Sequence, residues 1–227
     1  MNHDPAFTTE RLEALEQVNL RLMGVAHGDP QEIDGIHRVT GCNDEDYDLL
    51  LEAANELRIE RGDAMAVEPT GFKSLAVDEL RIASILSAKL PDVPVSDMSL
   101  ELRNDIAETI EVWRAERLIN NLAYVATHVL LKGIPLYRAE ISLEDWEMLK
   151  KLLPNLAPED QHDELRSYYR NTKMLARIGD AAIDLTANKA RRADDDKPGL
   201  LFASGLFHTP RLKKRLDAHN VSYTSNL

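Results

Sequence analysis

Two short apolar runs near opposite ends of the chain close on the same pattern, Gly-x-x-His. This recurrence constrains the fold more than any other feature. Gly24-Val25-Ala26-His27 ends the first run, and Gly205-Leu206-Phe207-His208 ends the last. Both follow β-like segments, Val18–Met23 and Leu200–Ala203. In an α/β protein, sites are built at the carboxyl ends of strands. Two strand-end histidines far apart in sequence are therefore placed to converge on one site, as a metal-ligand or acid/base pair.

The segments between them support an α/β reading. Thr8 and Thr9 are placed to cap a short helix reaching Val18, and Asn19–Ala26 reads as a strand. His27-Gly28-Asp29-Pro30 reads as a turn and Gly35–Cys42 as loop. Asn43 is a good N-cap, followed by Asp44, Glu45 and Asp46 where a helix dipole favours anions. Leu49, Leu50, Leu51, Ala53, Ala54 and Leu57 are expected to supply that helix's buried face, and Gly62 to end it. Ala64–Val67 is a second strand, about Lys73–Leu90 a helix, and Val93–Ser96 a third strand closed by Asp97. The order β-α-β-α-β implies a parallel sheet.

From Ser99 the pattern turns helical: one or two helices to about Leu131, another from Ser142-Leu143-Glu144-Asp145, and a long one from Pro158 to roughly Ala190. Arg191–Pro198 reads as a solvated loop, Leu200–Phe207 returns to strand, and Thr209 is expected to cap a helix with Pro210 in its first turn. Val221–Thr224 is a last strand. The expectation is a single domain over residues 1–227. It has a mixed, mainly parallel sheet with flanking helices and a helical insertion at about 99–190.

Composition removes several function classes. The chain has 227 residues, enough for one substantial core, with net charge -12. That field disfavours nucleic acid and anionic membranes, and aromatics at 5% provide no stacking platform. Cys42 is the single cysteine, so neither an intramolecular disulfide nor a cysteine-based zinc cluster is available. The opening MNHDPAFTTERLEALEQ lacks the basic and apolar regions of a signal peptide, and no run approaches the roughly 18 apolar residues of a membrane span. The expectation is a soluble, cytoplasmic protein; its oligomeric state is left open. Walker-type loops, Gly-x-Ser-x-Gly elbows, His-Glu-x-x-His and Rossmann fingerprints are all missing from the sequence.

The residues that remain as candidates each have a structural alternative. A neutral imidazole at His27 or His208 suits a transition metal, although a lone histidine after a strand more often makes a structural hydrogen bond. Glu68 ends the run Ala64–Val67, where a carboxylate completes a metal site or acts as general base; it also fits an exposed loop. Asp97 either orients a histidine or caps the helix beginning near Ser99. Glu79, in the helix after the second strand, reads as solvated on its own. Arg170 and Asn171 offer a cationic fork and an amide for substrate, or a surface salt bridge.

In order, these segments resemble the TraB/Tiki/GumN-like superfamily. Its first Gly-x-x-His matches Gly24–His27, and its acidic strand end matches Gly62–Glu68. Its Glu-x-x-x-Ala helix and Asp-closed strand match Glu79–Ala83 and Val93–Asp97. Its Arg-Asn/Asp-x-x-Met helix matches Arg170–Met174, and its second Gly-x-x-His matches Gly205–His208. Members include proteins that shut down peptide pheromones and metal-dependent proteases of the Tiki type. The resemblance implies that His27, Glu68 and His208 hold a divalent ion (Mn, Co or Zn) or act as acid/base groups. It makes Glu79 a supporting or activating carboxylate, and Arg170 and Asn171 substrate contacts.

The functional expectation is a metal-dependent hydrolase, most plausibly acting on a peptide. The alternative is a non-catalytic protein that sequesters a peptide or partner through the same cleft. Esterase-like chemistry on a small molecule, without metal, is a third reading.

Overall fold

In a computed structural model, the described residues are 4–26, 29–33, 36–41, 43–67, 100–139, 141, 143–187 and 197–227. The chain opens with α1 (Thr9–Leu15), capped by the Thr8 hydroxyl, which accepts from the Arg11 N–H. It continues with β1 (Asn19–Val25), an antiparallel hairpin of β2 (Asp29–Ile33) and β3 (Ile36–Thr40), α2 (Asp44–Asn55) and β4 (Ala64–Val67). Then follow α3 (Leu100–Ala115), α4 (Asn121–Leu131), β5 (Leu136–Arg138), α5 (Leu143–Leu156), α6 (His162–Ala187), β6 (Gly199–Gly205), α7 (Thr209–Ala218) and β7 (Tyr223–Ser225).

Five strands form one parallel sheet in the order β5-β4-β6-β1-β7. Strands buried on both faces must be apolar at consecutive positions, and these are. Met23, Val25, Met65, Val67, Leu201 and Ala203 point to one face, where α2, α3 and α4 cover them with Leu50, Ile110, Trp113, Leu122 and Val125. Leu20, Leu22, Ala64, Ala66, Leu200 and Phe202 point to the other, against Leu15 of α1, Met174, Leu175 and Ile178 of α6, and Leu212 and Leu216 of α7. The result is three layers, α/β/α, as the expected fold class requires.

Several local expectations differ from the structure. The turn expected at His27–Pro30 and the loop expected at Gly35–Cys42 overlap the β2–β3 hairpin. Asp34-Gly35 separates its strands in sequence, and Asp-Gly is the pair that two-residue hairpin links favour. Helix α2 stops at Asn55, well before Gly62, whose φ of 64° is a left-handed turn leading into β4. The long helix starts at His162, behind a 3-10 turn at Glu159–Gln161, because Pro158 holds an extended ψ. The block expected to be helical also supplies β5, three residues too short to show a period, which adds to the sheet beside β4. The third strand expected at Val93–Ser96 and the helix at Lys73–Leu90 lie outside the described residues, as does Cys42. Among the described residues no helix is long and apolar enough to cross a membrane.

Two carboxylates tie distant segments together. Asp63, 2% exposed, accepts from the backbone N–H groups of Gly199 (2.8 Å) and Arg58 (3.0 Å) and pairs with Arg61 (2.9 Å). It thereby joins the entry of β4 to the entry of β6. Asp4 holds the N-terminal segment on α7 through the Arg215 guanidinium, with Nε at 2.8 Å. Burial pushes the Asp4 carboxyl up, but the Arg215 hydrogen bond and charge and the Ala6 N–H outweigh this and hold it below the usual aspartate range.

Asp63→Ala leaves two partly buried N–H groups without their acceptor and is expected to lower the unfolding free energy by about 1–3 kcal/mol in urea titration. A loss below about 0.5 kcal/mol would show that Asp63 joins nothing that matters. The lowered folded-state pKa of Asp4 means that its contribution is complete above the unfolded aspartate range, about pH 4, and fades as pH falls through that range toward the folded value. The stability gap between wild type and Asp4→Asn should therefore be constant from neutral pH to about pH 5 and shrink toward pH 3.

Candidate functional site

The centre of the sheet is built from the two ends of the chain. β1 pairs with β6 along its whole length, from Asn19 opposite Gly199 to Val25 opposite Gly205. The two Gly-x-x-His segments therefore leave the sheet side by side, Gly24 opposite Ser204 and Gly205 opposite Val25. The connections then part. The chain after β1 reaches α2 on one face, whereas β6 leads directly into α7 on the other. Adjacent strands whose connections diverge to opposite faces make a topological switch point, the crevice where open α/β sheets bind ligands. β4 lies on the other side of β6, with Val67 opposite Ala203, so the strand that precedes Glu68 ends at the same edge.

Gly24 is required by packing. A Cβ there would lie 2.5 Å from Thr209 Oγ1 and 2.6 Å from Leu227 Cδ1. The glycine lets the start of α7 settle onto β1, where Thr209 Oγ1 also meets Ser204 Oγ at 3.3 Å. Asn226 completes the edge: its Oδ1 accepts from the Gly24 N–H (3.0 Å) and its Nδ2 donates to the Gly24 carbonyl (2.9 Å). The expectation that Thr209 caps the helix is corrected here. His208 occupies the N-cap position and makes no side-chain cap bond, while Thr209 is 1% exposed and turned into the sheet.

His208 is freed from capping to face α6. Its Nδ1 lies 2.7 Å from Oδ1 of Asn171, a residue 2% exposed. A carbonyl-type oxygen only accepts, so Nδ1 carries a proton and donates this bond. An oriented imidazole of this kind suits either a base or a metal ligand. Two residues from separate motifs, Asn171 and His208, are thus brought into contact. Arg170, one position earlier on α6, is partly exposed, and Met174 is fully buried. His27, Glu68, Glu79 and Asp97 lie outside the described residues.

The end of β1 carries polar groups that sequence reasoning missed. The Ala26 N–H donates to Asp46 Oδ2 in the first turn of α2 (3.3 Å), and the Ala26 carbonyl accepts from Asn121 Nδ2 in the first turn of α4 (3.0 Å). Two helix N-termini therefore meet the residue preceding His27. Asn121 is fully buried, and its Oδ1 has no hydrogen-bond partner among the described residues. A buried orphan acceptor takes a water or a ligand donor. The signal for this was slight: Asn120-Asn121 sits before an apolar run, which marks a helix start and nothing more. Phe207, directly before His208, is 90% exposed.

The metal implied by the family resemblance can be tested against His208 alone. Its protonation at Nδ1 and its buried amide partner are what a histidine ligand requires, so this residue fits. Among the described residues no three His, Cys, Asp or Glu side chains gather to hold an ion.

Long-range 1H–15N correlation spectra are expected to show His208 as the Nδ1–H tautomer in wild type and to lose that preference in Asn171→Leu. A wild-type ring protonated at Nε2 instead would remove the Asn171 contact from the site. In comparison with known proteins, no family model, curated protein or solved structure matches the chain.

Proposed function

We propose that the chain is a metal-dependent hydrolase acting on a peptide, a divergent relative of the TraB/Tiki/GumN-like superfamily. The observation that carries this reading is the pairing of β1 with β6 at a switch point, with His208 held by Asn171 beside it. In this reading His27, Glu68 and His208 would hold a divalent ion, Mn, Co or Zn. Such an ion supplies Lewis-acid polarisation of a carbonyl and lowers the pKa of a bound water. The chain's own groups do the rest. Asn171 keeps the His208 ring in one tautomer and orientation. The N-terminal end of α4, pinned to Ala26 by Asn121, puts the positive end of its dipole at the same strand end, where negative charge is favoured. Glu68 or Glu79 takes a proton, Asp97 orients a histidine, and Arg170 binds substrate.

The exposed Phe207 beside His208 favours a second reading, in which the same edge holds a peptide without cutting it. Calorimetric titration with manganese, cobalt or zinc separates the two. Near-stoichiometric binding is expected in wild type and is lost in a folded His27→Ala/His208→Ala double variant. Asn171→Ala should weaken it about 10- to 100-fold, as loss of a histidine's supporting partner does. Absence of binding in wild type would sink the hydrolase and leave the sequestering reading, which predicts recovery of intact peptide from a tight complex.

A further inference from the structure

Asn171, the partner of His208, also lines a cavity of about 390 Å³ between α6 and α7. Arg211, Lys214 and Arg215 line it from α7, and Tyr168 from α6. The chain as a whole carries 39 acidic and 27 basic residues, but α7 has four cations (Arg211, Lys213, Lys214, Arg215) against one carboxylate, Asp217. Three of these four cations, Arg211, Lys214 and Arg215, bring local positive charge to the groove. The carboxylates opposing it across the cavity are Asp4 and Glu164, and His219 closes the far end.

A carboxylate already sits in the groove. Asp4 takes the Arg215 fork through Nε (2.8 Å) and Nη2, and both side chains are only about one-seventh exposed. The guanidinium is held for that purpose by Thr172 Oγ1 (2.9 Å) and by the Tyr168 ring, whose centroid lies 5.1 Å away. A planar fork fixed by an aromatic face and a hydroxyl is how arginine selects carboxylates. Arg211 reaches Ser167 Oγ across the groove, and Lys214 is exposed at its rim. Asp4 pairs with Arg215, and among the described lining residues Glu164 is the other carboxylate beside Arg211 and Lys214. A space of this size admits one or two side chains rather than a folded partner.

We infer that this groove seats acidic side chains of a bound peptide, the carboxylate on Arg211 and Lys214 and the adjoining chain against Tyr168. The inference rests on the peptide reading above and narrows it: the preferred peptide carries Asp or Glu at the residues lying beside Asn171. The complementary charge also guides encounter, since a local positive field accelerates the approach of an acidic segment.

The test is fluorescence anisotropy with a labelled hexaglutamate peptide, run in chelator so that no metal contributes, beside a hexaglutamine control and an oligonucleotide. Saturable binding of the acidic peptide is expected, and R211E/K214E should weaken it about tenfold or more with unchanged circular dichroism. K214A, a single exposed truncation that keeps the fold, should weaken it severalfold. Equal affinity for hexaglutamine or for the oligonucleotide, or undiminished binding by both variants, would overturn the proposal. Acidic-peptide binding without metal uptake would keep the groove and remove the hydrolase; metal uptake without peptide binding would do the reverse.

Discussion

The structure depends on the parallel pairing of β1 with β6. Seven residues of each strand are in register, and they come from opposite ends of the chain. A parallel pair needs a crossover connection between its strands. Here that connection includes β4, β5 and most of the helices, so the intervening chain must pack on both faces before the pair is enclosed. The same pairing brings the two Gly-x-x-His segments to one edge and sends their connections to opposite faces. Fold and candidate site therefore rest on one set of contacts, which Gly24 makes possible by giving room to Thr209 and Leu227.

Charge is distributed to suit that arrangement. At the strand entries Asp63 is buried and fully used, holding β4 and β6 together through backbone donors. At the strand exits, polar groups are grouped around backbone ends and one histidine: Asp46 and Asn121 on Ala26, Asn171 on His208. An interior carboxylate bound by N–H groups stabilises a joint, whereas a buried amide oxygen without a partner costs stability unless something binds it. Asn121 Oδ1, without a partner among the described residues, is of the second kind and lies at the edge where sheet topology places ligands. The cations of α7 stand apart from the acidic remainder of the molecule, and net charge alone conceals them.

Much of the fold was legible because burial on both faces of a sheet leaves a direct trace in sequence. Ala64–Val67 and Leu200–Ala203 are apolar without interruption, and Thr8 and Asn43 cap the helices that their side chains mark. β5 was not legible, because three residues carry no period, and the β2–β3 hairpin was obscured by Pro30, which reads as a turn residue. For the site, Asn171 and His208 were each singled out, but their hydrogen bond was not, since it joins the body of one helix to the start of another 37 positions along the chain. Asn121 carried no visible signal beyond its place at a helix start.

The sequence by itself determined the longer elements, their apolar faces and the residue types available for chemistry, because each follows from periodicity and side-chain character within a few residues. Tertiary structure alone decided the strand order, the neighbours of each strand end and the tautomer of His208. These are relations between segments far apart in the chain, set by which faces bury each other rather than by local preference. The same applies to the groove on α7: its cations are plain in sequence, but the Asp4 carboxylate that occupies Arg215 comes from the other end of the molecule.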